Sequence, residues 1–281
     1  MRFWPPFATR PPSMDAAAVL LTGDPDAKAA AARLFRRHVL DGSAGSGRPG
    51  PAGPARPERP ALVSPRDLPR RGLGSESGRA SLLHAIAHIE LNAIDLAADM
   101  VVRFSAAPEL DGRRDAFVGD WSGVCDDEAR HFGMLQARLR ELGHEYGDFS
   151  AHDGLWQAAR DTAHDLAARL AIAPLVLEAR GLDVTPGMIR RLDGAGDLRS
   201  ADILRTIYAE EVAHVEAGIR WFHHVARARG REPKAYFQAL VREHFRGKVK
   251  PPFNVPARDR ATFPQEFYAE LVAREDNLTR C

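Results

Sequence analysis

The stretch that decides the fold is DDEARHF, residues 126–132, which has a counterpart in EEVAHVE, residues 210–216. Each contains the pattern Glu-x-x-His, formed by Glu128 with His131 and by Glu211 with His214. Both patterns lie in long segments with apolar residues at helical spacing. Because residues three apart share one face of a helix, each pair aims a carboxylate and an imidazole at one point. The two copies therefore predict one site shared by two helices.

Two further segments each carry one glutamate within an apolar stripe. Glu90 lies in the predicted helix 81–104, and Glu178 lies in the predicted helix 155–181. Along the chain the order is Glu, Glu-x-x-His, Glu, Glu-x-x-His on four successive predicted helices. A single Glu-x-x-His is usually a solvated surface pair, whereas this fourfold order is typical of bundles that bind two metal ions. The predicted metal ligands, which are also the predicted catalytic residues, are Glu90, Glu128, His131, Glu178, Glu211 and His214.

The charge of these residues indicates what they bind. A carboxylate buried in an apolar stripe costs several kcal/mol unless it is paired or bound to a metal, so four that converge require cations. Mixed carboxylate and imidazole ligands suit iron or manganese better than calcium or a thiolate-seeking metal. The predicted cofactors are two iron ions, with manganese or a mixed iron and manganese pair as alternatives. Six protein ligands shared by two metals leave positions where oxygen, peroxide or water binds.

The predicted fold is all-α, a four-helix bundle of the ferritin type over residues 81–230. Its second and fourth helices are expected over 110–142 and 200–228. The second helix has about three turns after His131, whereas the third has about six before Glu178, so a crossover that makes the two parallel fits better than a hairpin. Pro174 is expected to kink or bulge the third helix, and residues 183–187 and 194–196 are expected to break the chain.

The remaining segments are expected to lie outside this bundle. Residues 1–41 form an N-terminal helical segment with a helix at 24–40, and 42–80 form a proline- and glycine-rich linker that is extended or disordered. Residues 231–281 form C-terminal accessory helices at 233–245 and 264–278, on either side of a loop at 247–260.

Composition excludes several classes of protein. The formal net charge of +1 gives no global basic field of the kind that many nucleic-acid binders carry. The two cysteines, Cys125 and Cys281, fit a reducing compartment and are too few for a rubredoxin-type or zinc-ribbon centre. The first residues lack the apolar run of a signal peptide, and no transmembrane run is present. We therefore expect a cytoplasmic protein without a membrane partner.

Several residues near the predicted ligands have a second interpretation. Asp95, Asp127 and Glu210 are the acids that could orient the imidazoles. Trp121 and Tyr208 could line a cavity beside the metals, although core packing is the commoner role of such residues. Three more residues could extend the site, but satisfied helix histidines and a buried thiol are the simpler interpretation: His84, His88 and Cys125.

Five stretches of this sequence resemble a bacterial family of ferritin-like proteins that carries only a domain-of-unknown-function label. The resemblance extends over almost the whole chain, to FPQEFYAEL at residues 263–271, and it implies the ferritin-like fold but no reaction. The stretches are HAIAHIELNAIDLAADM (84–100), DWSGVCDDEARHF (120–132), YGDFSAHDGLW (146–156), RLAIAPLVLEARGLDVTPG (169–187) and EEVAHVEAGIRWF (210–222).

A more distant resemblance is to the tRNA-modifying non-haem di-iron hydroxylases. It implies an oxygen-activating di-iron site at the six predicted ligands, and it does not carry over a substrate. Those relatives tend to have Asp-Glu before the last histidine. This chain has Glu210-Glu211, so the ligand is kept and the orienting role of the first acid is put in doubt.

The leading functional hypothesis is a di-iron oxidoreductase, an O2-dependent hydroxylase or monooxygenase of a small-molecule or nucleotide-like substrate. With no cysteine-ligated electron-transfer centre, such an enzyme needs an external reductase. The alternatives are a di-manganese catalase-like enzyme, a ferroxidase or iron-binding protein, and a scaffold without chemistry. Iron storage requires a cage, whereas the expected state here is a monomer or dimer.

A basic and aromatic segment near the C-terminus gives local support for a nucleic-acid ligand. Its side chains could hold a phosphate or stack on a base, although a solvated helix end followed by a proline turn is the commoner arrangement. The segment comprises Arg242, Arg246, Lys248 and Lys250, with Phe245 and Phe253 beside them.

Overall fold

The structure is a computed structural model that describes residues 15–44, 50–68 and 72–273. Within these ranges the regular structure is helical, and the sole strand-type pairing is an isolated bridge between Leu62 and Ala151. The all-α prediction is therefore confirmed. The predictions made for the N-terminal residues 1–14, for the last part of the helix at 264–278 and for Cys281 fall outside the described residues.

The helices follow one another from the first described residue to the last. Residues 108–110 and 265–267 form short 3-10 turns, and residues 173–178 form a π-helical turn, called here the π turn. The α-helices are α1 (Ala16–Leu21), α2 (Pro25–Leu40), α3 (Glu76–Phe104), α4 (Arg114–Glu141), α5 (Gly154–Asp161), α6 (Leu166–Ile172), α7 (Ala179–Gly194), α8 (Leu198–Ala228), α9 (Pro233–His244), α10 (Val255–Arg260) and α11 (Ala269–Ala273).

Polar contacts near the helix ends define the directions of the long helices. Arg138, near the end of α4, donates to Asp197 just before α8 at 3.0 Å. Trp221, near the end of α8, donates to Asp120 near the start of α4 at 2.7 Å. Because α7 joins α8 through the short loop 195–197 and packs against it, α8 is antiparallel to both α4 and α7.

The π turn between α6 and α7 lies where Pro174 was expected to kink or bulge the helix, and it confirms that expectation. Proline has no N–H and cannot continue the α-helical ladder, so the turn widens. Gly218 of α8 lies against it, and a Cβ added to Gly218 would lie 2.5 Å from the Cβ of Pro174. A glycine at this position therefore lets α8 approach the π turn, which ends at Glu178.

The expected break at residues 183–187 is wrong, because α7 continues through Pro186. Proline inside a helix leaves the carbonyl four residues earlier without its usual donor. Here that carbonyl belongs to Leu182, and the side-chain amide of Asn254 donates to it at 3.0 Å. A distant residue thus supplies the missing hydrogen bond, which the local sequence does not reveal.

Two other predicted segments also differ from the structure. The third predicted helix, 155–181, is interrupted after Asp161, and Asp165 caps the new helix α6 by accepting from the Ala168 amide at 2.7 Å. The predicted loop 247–260 contains α10, which Asn254 caps through the Ala257 amide. The prediction placed Asp165 inside one continuous helix and Asn254 in a loop, whereas each of them caps the start of a helix.

Three buried ion pairs join helices that are far apart in the chain. Lys28 of α2 pairs with Asp95 of α3, Arg169 of α6 pairs with Asp99 of α3, and Arg258 of α10 pairs with Asp183 of α7. All six side chains are at most 4 % exposed. The predicted helix at 24–40 is confirmed as α2, with Asp24 as its cap. In the described ranges, every helix is too short or too polar to span a bilayer.

Candidate metal centre

The six predicted ligands meet between α3, α4, the π turn and α8. Four of them, Glu90, Glu128, His131 and Glu211, each offer a donor atom, and these atoms all lie within 4.8 Å of one another. His214 adjoins this group, with its Nδ1 atom 3.1 Å from Glu128. Glu178 shares with Glu90, Glu128 and Glu211 the lining of one cavity. The structure thus brings together the six predicted ligands, while their role in binding metal stays a prediction.

Two carboxylates span the distance between the two imidazoles. Glu128 places Oε2 3.4 Å from Nδ1 of His131 and Oε1 3.1 Å from Nδ1 of His214. Glu211 does the same, with Oε1 3.7 Å from His131 and Oε2 3.5 Å from His214. Each acid therefore faces both halves of the cluster. Glu90, with Oε2 3.3 Å from Nδ1 of His131, belongs to one half only.

Several inward polar atoms have no hydrogen-bond partner among the described residues. They are both carboxylate oxygens of Glu128, one oxygen of Glu178 and Nδ1 of His214. The 3.1 Å contact between Glu128 and His214 is close but lacks the alignment of a hydrogen bond. Buried polar atoms left unpaired cost about 1–3 kcal/mol each, and more when charged. A cation bound among these atoms would interact with all of them at once and remove this cost.

The outward nitrogen of each histidine faces an acid on the other Glu-x-x-His helix. Nε2 of His131 on α4 lies 2.7 Å from Glu210 of α8, and Nε2 of His214 on α8 lies 3.3 Å from Asp127 of α4. Arg130 donates to both acids at 2.7 Å and links them. These contacts fix both rings with Nδ1 pointing inward.

Among the acids that the sequence proposed as orienting partners, Asp127 and Glu210 face the histidines and Asp95 does not. Asp95 is buried and pairs with Lys28 and with Arg56 at 3.2 Å instead. Arg130 was missed, although its position between Glu128 and His131, three residues after Asp127, gave a signal. An arginine there can reach an acid at i−3 on the same face.

Burial and mutual repulsion make some of the inner acids hold their protons. Burial, together with the charges of Glu211 and Glu128, raises the pKa of Glu178 to about 8. Burial and the charge of Glu128 raise the pKa of Glu90 well above its usual range, and burial likewise raises that of Glu211. In the metal-free chain Glu178 is therefore mostly protonated at neutral pH, and Glu90 and Glu211 hold their protons more tightly than exposed glutamates do.

The two imidazoles of the cluster favour their charged form. Burial opposes the charged form of His131, but Glu128 and Glu90 outweigh it and raise its pKa to about 11. The pKa of His214 is raised well above its usual range against the effect of burial, by Glu211, Asp127 and Glu128. Burial also opposes ionisation of Glu128, yet the two imidazoles lower its pKa. Protons thus hold the metal-free cluster together, and metal binding has to displace them.

A cavity of about 180 Å³ adjoins the acids. Glu90, Glu128, Glu178 and Glu211 line one part of it, and the rest is mainly apolar, including Ile86, Leu177, Met188 and Ile207. Ile89, which is 46 % exposed, lies at its edge. The lining residues do not include Trp121, which packs against Phe117, or Tyr208, which hydrogen-bonds to Asn254. The suggestion that these two aromatic residues line the cavity is therefore not supported.

The other residues near the site have structural contacts. His88 hydrogen-bonds to the Tyr146 hydroxyl at 2.8 Å, and His84 accepts from the Gly147 amide at 2.9 Å. Burial lowers the pKa of each of these histidines to about 4, so both are neutral at pH 7. Cys125 is buried, and burial raises its thiol pKa. The simpler interpretation of these three residues agrees with these contacts.

The fold and the cluster define the class: an all-helical protein with a buried group of glutamates and histidines that could hold a metal ion. The chain belongs to the family described as "Protein of unknown function (DUF455)", which it matches over residues 21–269. It is 43 % identical over 206 residues to an uncharacterized protein of Haemophilus influenzae, covering 73 % of this chain and 71 % of that protein. No solved structure matches the chain.

Proposed function

We propose that this protein is a ferritin-like di-metal carboxylate oxidoreductase, and that it uses two iron ions to carry out an O2-dependent hydroxylation. The observation that carries the proposal is the arrangement of Glu128 and Glu211. Each directs one oxygen toward each inward imidazole nitrogen, so both acids would hold metal ions together with both histidines. Glu90 with His131, and Glu178 with His214, would complete the two halves.

The helix directions support a bundle of the ferritin type. Since α8 is antiparallel to both α4 and α7, α4 and the stretch α6–α7 run in the same direction. A crossover between them is what such folds require. The 24 residues from Leu142 to Asp165, including α5, provide it. A connection of this length is long enough to run from one end of the bundle to the other.

The donor set fits iron or manganese. Four carboxylates and two imidazoles neutralise two divalent ions, and no thiolate is present to favour a softer metal. The inward atoms without hydrogen-bond partners are those that a metal would satisfy. When bound, a di-iron centre would supply the positions where O2 binds and would pass on the electrons that a reductase delivers.

The chain's own residues would provide the surroundings of the reaction. The apolar wall formed by Ile86, Met188 and Ile207 excludes water and favours an apolar part of the substrate next to the acids. The pairs His131–Glu210 and His214–Asp127 keep each imidazole turned inward while protons leave the cluster. We further propose that an external reductase provides electrons, because the buried thiol of Cys125 is not part of a cysteine cluster.

The test measures metal content and oxygen consumption together. Protein purified without chelators, or reconstituted anaerobically with Fe²⁺, is expected to hold about two metal ions per chain. The metal-loaded parent should consume O2 when reduced. The variant Glu128→Ala/His131→Ala should neither bind the metal nor consume O2. Glu243→Ala, on an exposed part of α9, is a control that should behave like the parent. Metal occupancy near zero in the parent would overturn the proposal.

Two alternative activities give different results in the same experiment. A catalase-like enzyme would evolve O2 from peroxide in its manganese form and not in its iron form. A ferroxidase would oxidise and accumulate iron far beyond two ions per chain, in an assembly large enough to enclose it. A monomer or dimer on size-exclusion chromatography that consumes O2 without accumulating iron supports the hydroxylase.

A further inference from the structure

The cavity beside the acids extends along the bundle to one side of them. On α8 its lining includes Leu204 and Ile207, which come before Glu211 in the chain, and on α7 it includes residues that come after Glu178. Because α7 and α8 are antiparallel, these residues lie on the same side of the acids. The cavity therefore runs away from the candidate metal centre between the helices.

One face of α7 forms a wall of this cavity. Glu178, at the end of the π turn, is followed by Gly181, Thr185 and Met188 at steps of three or four residues, so these residues share one side of the helix. A Cβ added to Gly181 would meet no atom within 4 Å, so the glycine leaves open space between Glu178 and Thr185. Thr185 follows Glu178 by two turns, which is about 10 Å along a helix. The wall thus has an acid at one end and a hydroxyl at the other.

Thr185 is the one uncharged polar side chain in the lining, and it is 8 % exposed. The hydroxyls of Thr162 and Thr206 donate to the carbonyl four residues earlier, whereas none of the described residues hydrogen-bonds to the hydroxyl of Thr185. A hydroxyl can both donate and accept, so it can pair with an alcohol or a carbonyl group. The far end of the cavity therefore provides one hydrogen bond to a bound molecule.

The cavity provides no separate counter-ion for an anionic ligand. Arg180 is the one cation in its lining. The Arg180 guanidinium donates to the backbone carbonyls of Lys250 and Pro252, at 3.0 Å each, and lies 3.6 Å from the carboxylate of Asp183. An anionic group that entered the cavity would lose its hydration without gaining a partner of its own. The lining therefore favours an uncharged molecule.

We propose that this cavity binds an uncharged molecule with an apolar body of about six to eight carbons and a hydroxyl or carbonyl group at one end. Its volume of about 180 Å³ is slightly larger than the roughly 150 Å³ of apolar cavities that admit a benzene ring, which sets the size of the body. The polar group would pair with Thr185, and the body would lie along Ile86 and Ile207 with its other end at the acids. The inference rests on the proposed function, since it names the substrate class for that site.

The experiment titrates the metal-free, full-length protein by calorimetry with straight-chain alcohols from n-butanol to n-decanol. We expect one alcohol to bind per chain. The affinity should rise about fourfold for each added methylene and level off near about eight carbons, where the cavity is full. A rise that continues unchanged to n-decanol would indicate an open apolar surface and overturn the proposal. Absence of saturable binding throughout the series would also overturn it.

Octanoate tests whether the ligand has to be uncharged. Metal is absent from the titration, so the carboxylate cannot bind through a metal ion. Octanoate should bind at least about tenfold more weakly than n-octanol at neutral pH, because the cavity would remove its hydration without a counter-ion. Equal or tighter binding of octanoate would contradict the proposed class of ligand.

Two matched pairs of variants locate the site. Thr185→Val keeps the shape of the side chain and should weaken n-octanol binding about fivefold, the value of one hydrogen bond. Thr206→Val, the same change at an exposed position of α8, should have no effect. Gly181→Leu should weaken binding at least about tenfold by filling the open space, whereas Gly194→Leu at the exposed end of α7 should not. Equal losses within either pair would contradict the proposed location.

The titration separates this inference from the proposed oxidoreductase. Because the protein is metal-free, binding of n-octanol with the expected length limit supports the ligand class even if the parent never holds iron. Failure to hold iron would overturn the oxidoreductase alone. A parent that holds metal and consumes O2, but binds no alcohol, would overturn the ligand class alone.

Discussion

Helix α3 carries buried acids in two surroundings. Asp95 and Asp99, both at most 1 % exposed, have their own cations: Lys28 with Arg56 for the first, and Arg169 with Arg103 for the second. Glu90, also buried at 4 % exposure, faces other acids and the imidazole of His131. The same helix thus holds acids that the chain neutralises itself and an acid that it leaves among like charges.

This difference separates a structural ion pair from a candidate metal site. A buried acid beside a lysine or arginine has its charge compensated within the fold. A buried acid among other carboxylates is tolerated only while protons or metal ions occupy the site. Metal should therefore affect the stability of the chain through Glu90 and its neighbours, and not through Asp95 or Asp99.

The most destabilising change should be Lys28→Met, because it leaves Asp95 buried with only the more distant Arg56. Breaking a buried pair in this way costs about 3–5 kcal/mol, and we expect a value near the lower end. Urea denaturation with and without Fe²⁺ should show the same loss in both conditions. Adding Asp95→Asn to this variant should restore part of the stability. A loss below about 1 kcal/mol would show that Arg56 alone compensates Asp95.

Addition of metal should stabilise the parent protein. A ligand that binds only the folded chain contributes about 2.7 kcal/mol at one hundred times its dissociation constant. Anaerobic Fe²⁺ or Mn²⁺ should raise the melting temperature of the parent and of Glu243→Gln, an exposed control, but not that of Glu128→Gln. A comparable rise in Glu128→Gln would mean that the ions bind elsewhere.

The acids outside the cluster should tune metal affinity without abolishing it. Removal of a group that orients a histidine ligand typically weakens metal binding 10- to 100-fold. We expect a loss in this range for Glu210→Ala, whose contact with His131 is short, and a smaller loss for Asp127→Ala. Asp126→Ala is the matched control, because Asp126 faces Arg33 and not a histidine. Competition with a chromophoric chelator measures the metal affinity of all three variants. An equal loss of affinity in Asp126→Ala would contradict the proposal that Glu210 and Asp127 orient the histidines.

The effect most dependent on pH, and the smallest in acid, should come from Glu178→Gln in the metal-free chain. Near pH 4 the carboxyl group is protonated in both the folded and the unfolded chain, so an amide should change the free energy of unfolding by less than about 1 kcal/mol. At pH 7 Glu178 stays mostly protonated in the folded chain but ionises in the unfolded chain, so the variant should be the more stable protein. A carboxyl group whose pKa is higher in the folded than in the unfolded chain destabilises the fold as pH rises from its unfolded to its folded pKa.

The parent should therefore lose stability relative to Glu178→Gln between about pH 4.5 and about pH 8. Urea denaturation of metal-free protein at about pH 5, 6.5 and 8 measures the difference. Equal slopes for the two proteins would show that Glu178 ionises normally. A parent that gains stability relative to the variant as pH rises would reverse the sign of the argument.

The sequence predicted the cluster well because each signal for it lies within a single helix. The three-residue spacing of Glu128 and His131 fixes a shared helix face, and the apolar stripes place Glu90 and Glu178 inward. The partners of Asp95 and the donor for the Leu182 carbonyl come from Lys28 and Asn254, which are far away in the chain. Such pairings depend on tertiary structure, and no spacing rule reveals them.

The basic segment near the C-terminus also has tertiary contacts that the sequence does not reveal. The sequence placed four cations together near Phe245 and Phe253, but it could not show that two of them are engaged by Asp161 and Gln238. Nor could it show that Arg180, more than sixty residues earlier, holds the segment by donating to the carbonyls of Lys250 and Pro252. Composition identified the segment, whereas the contacts of its arginines follow from packing.

The π turn also determines how this chain tolerates insertions and deletions. A wide turn holds one residue more than a regular helix does over nearly the same rotation and rise. Removing one residue from 174–177 would therefore restore regular winding and leave Glu178 on nearly the same face. The same deletion in α8 before Glu211 would turn Glu211 by about 100°. The π turn is thus a point at which this chain can lose a residue and keep the cluster.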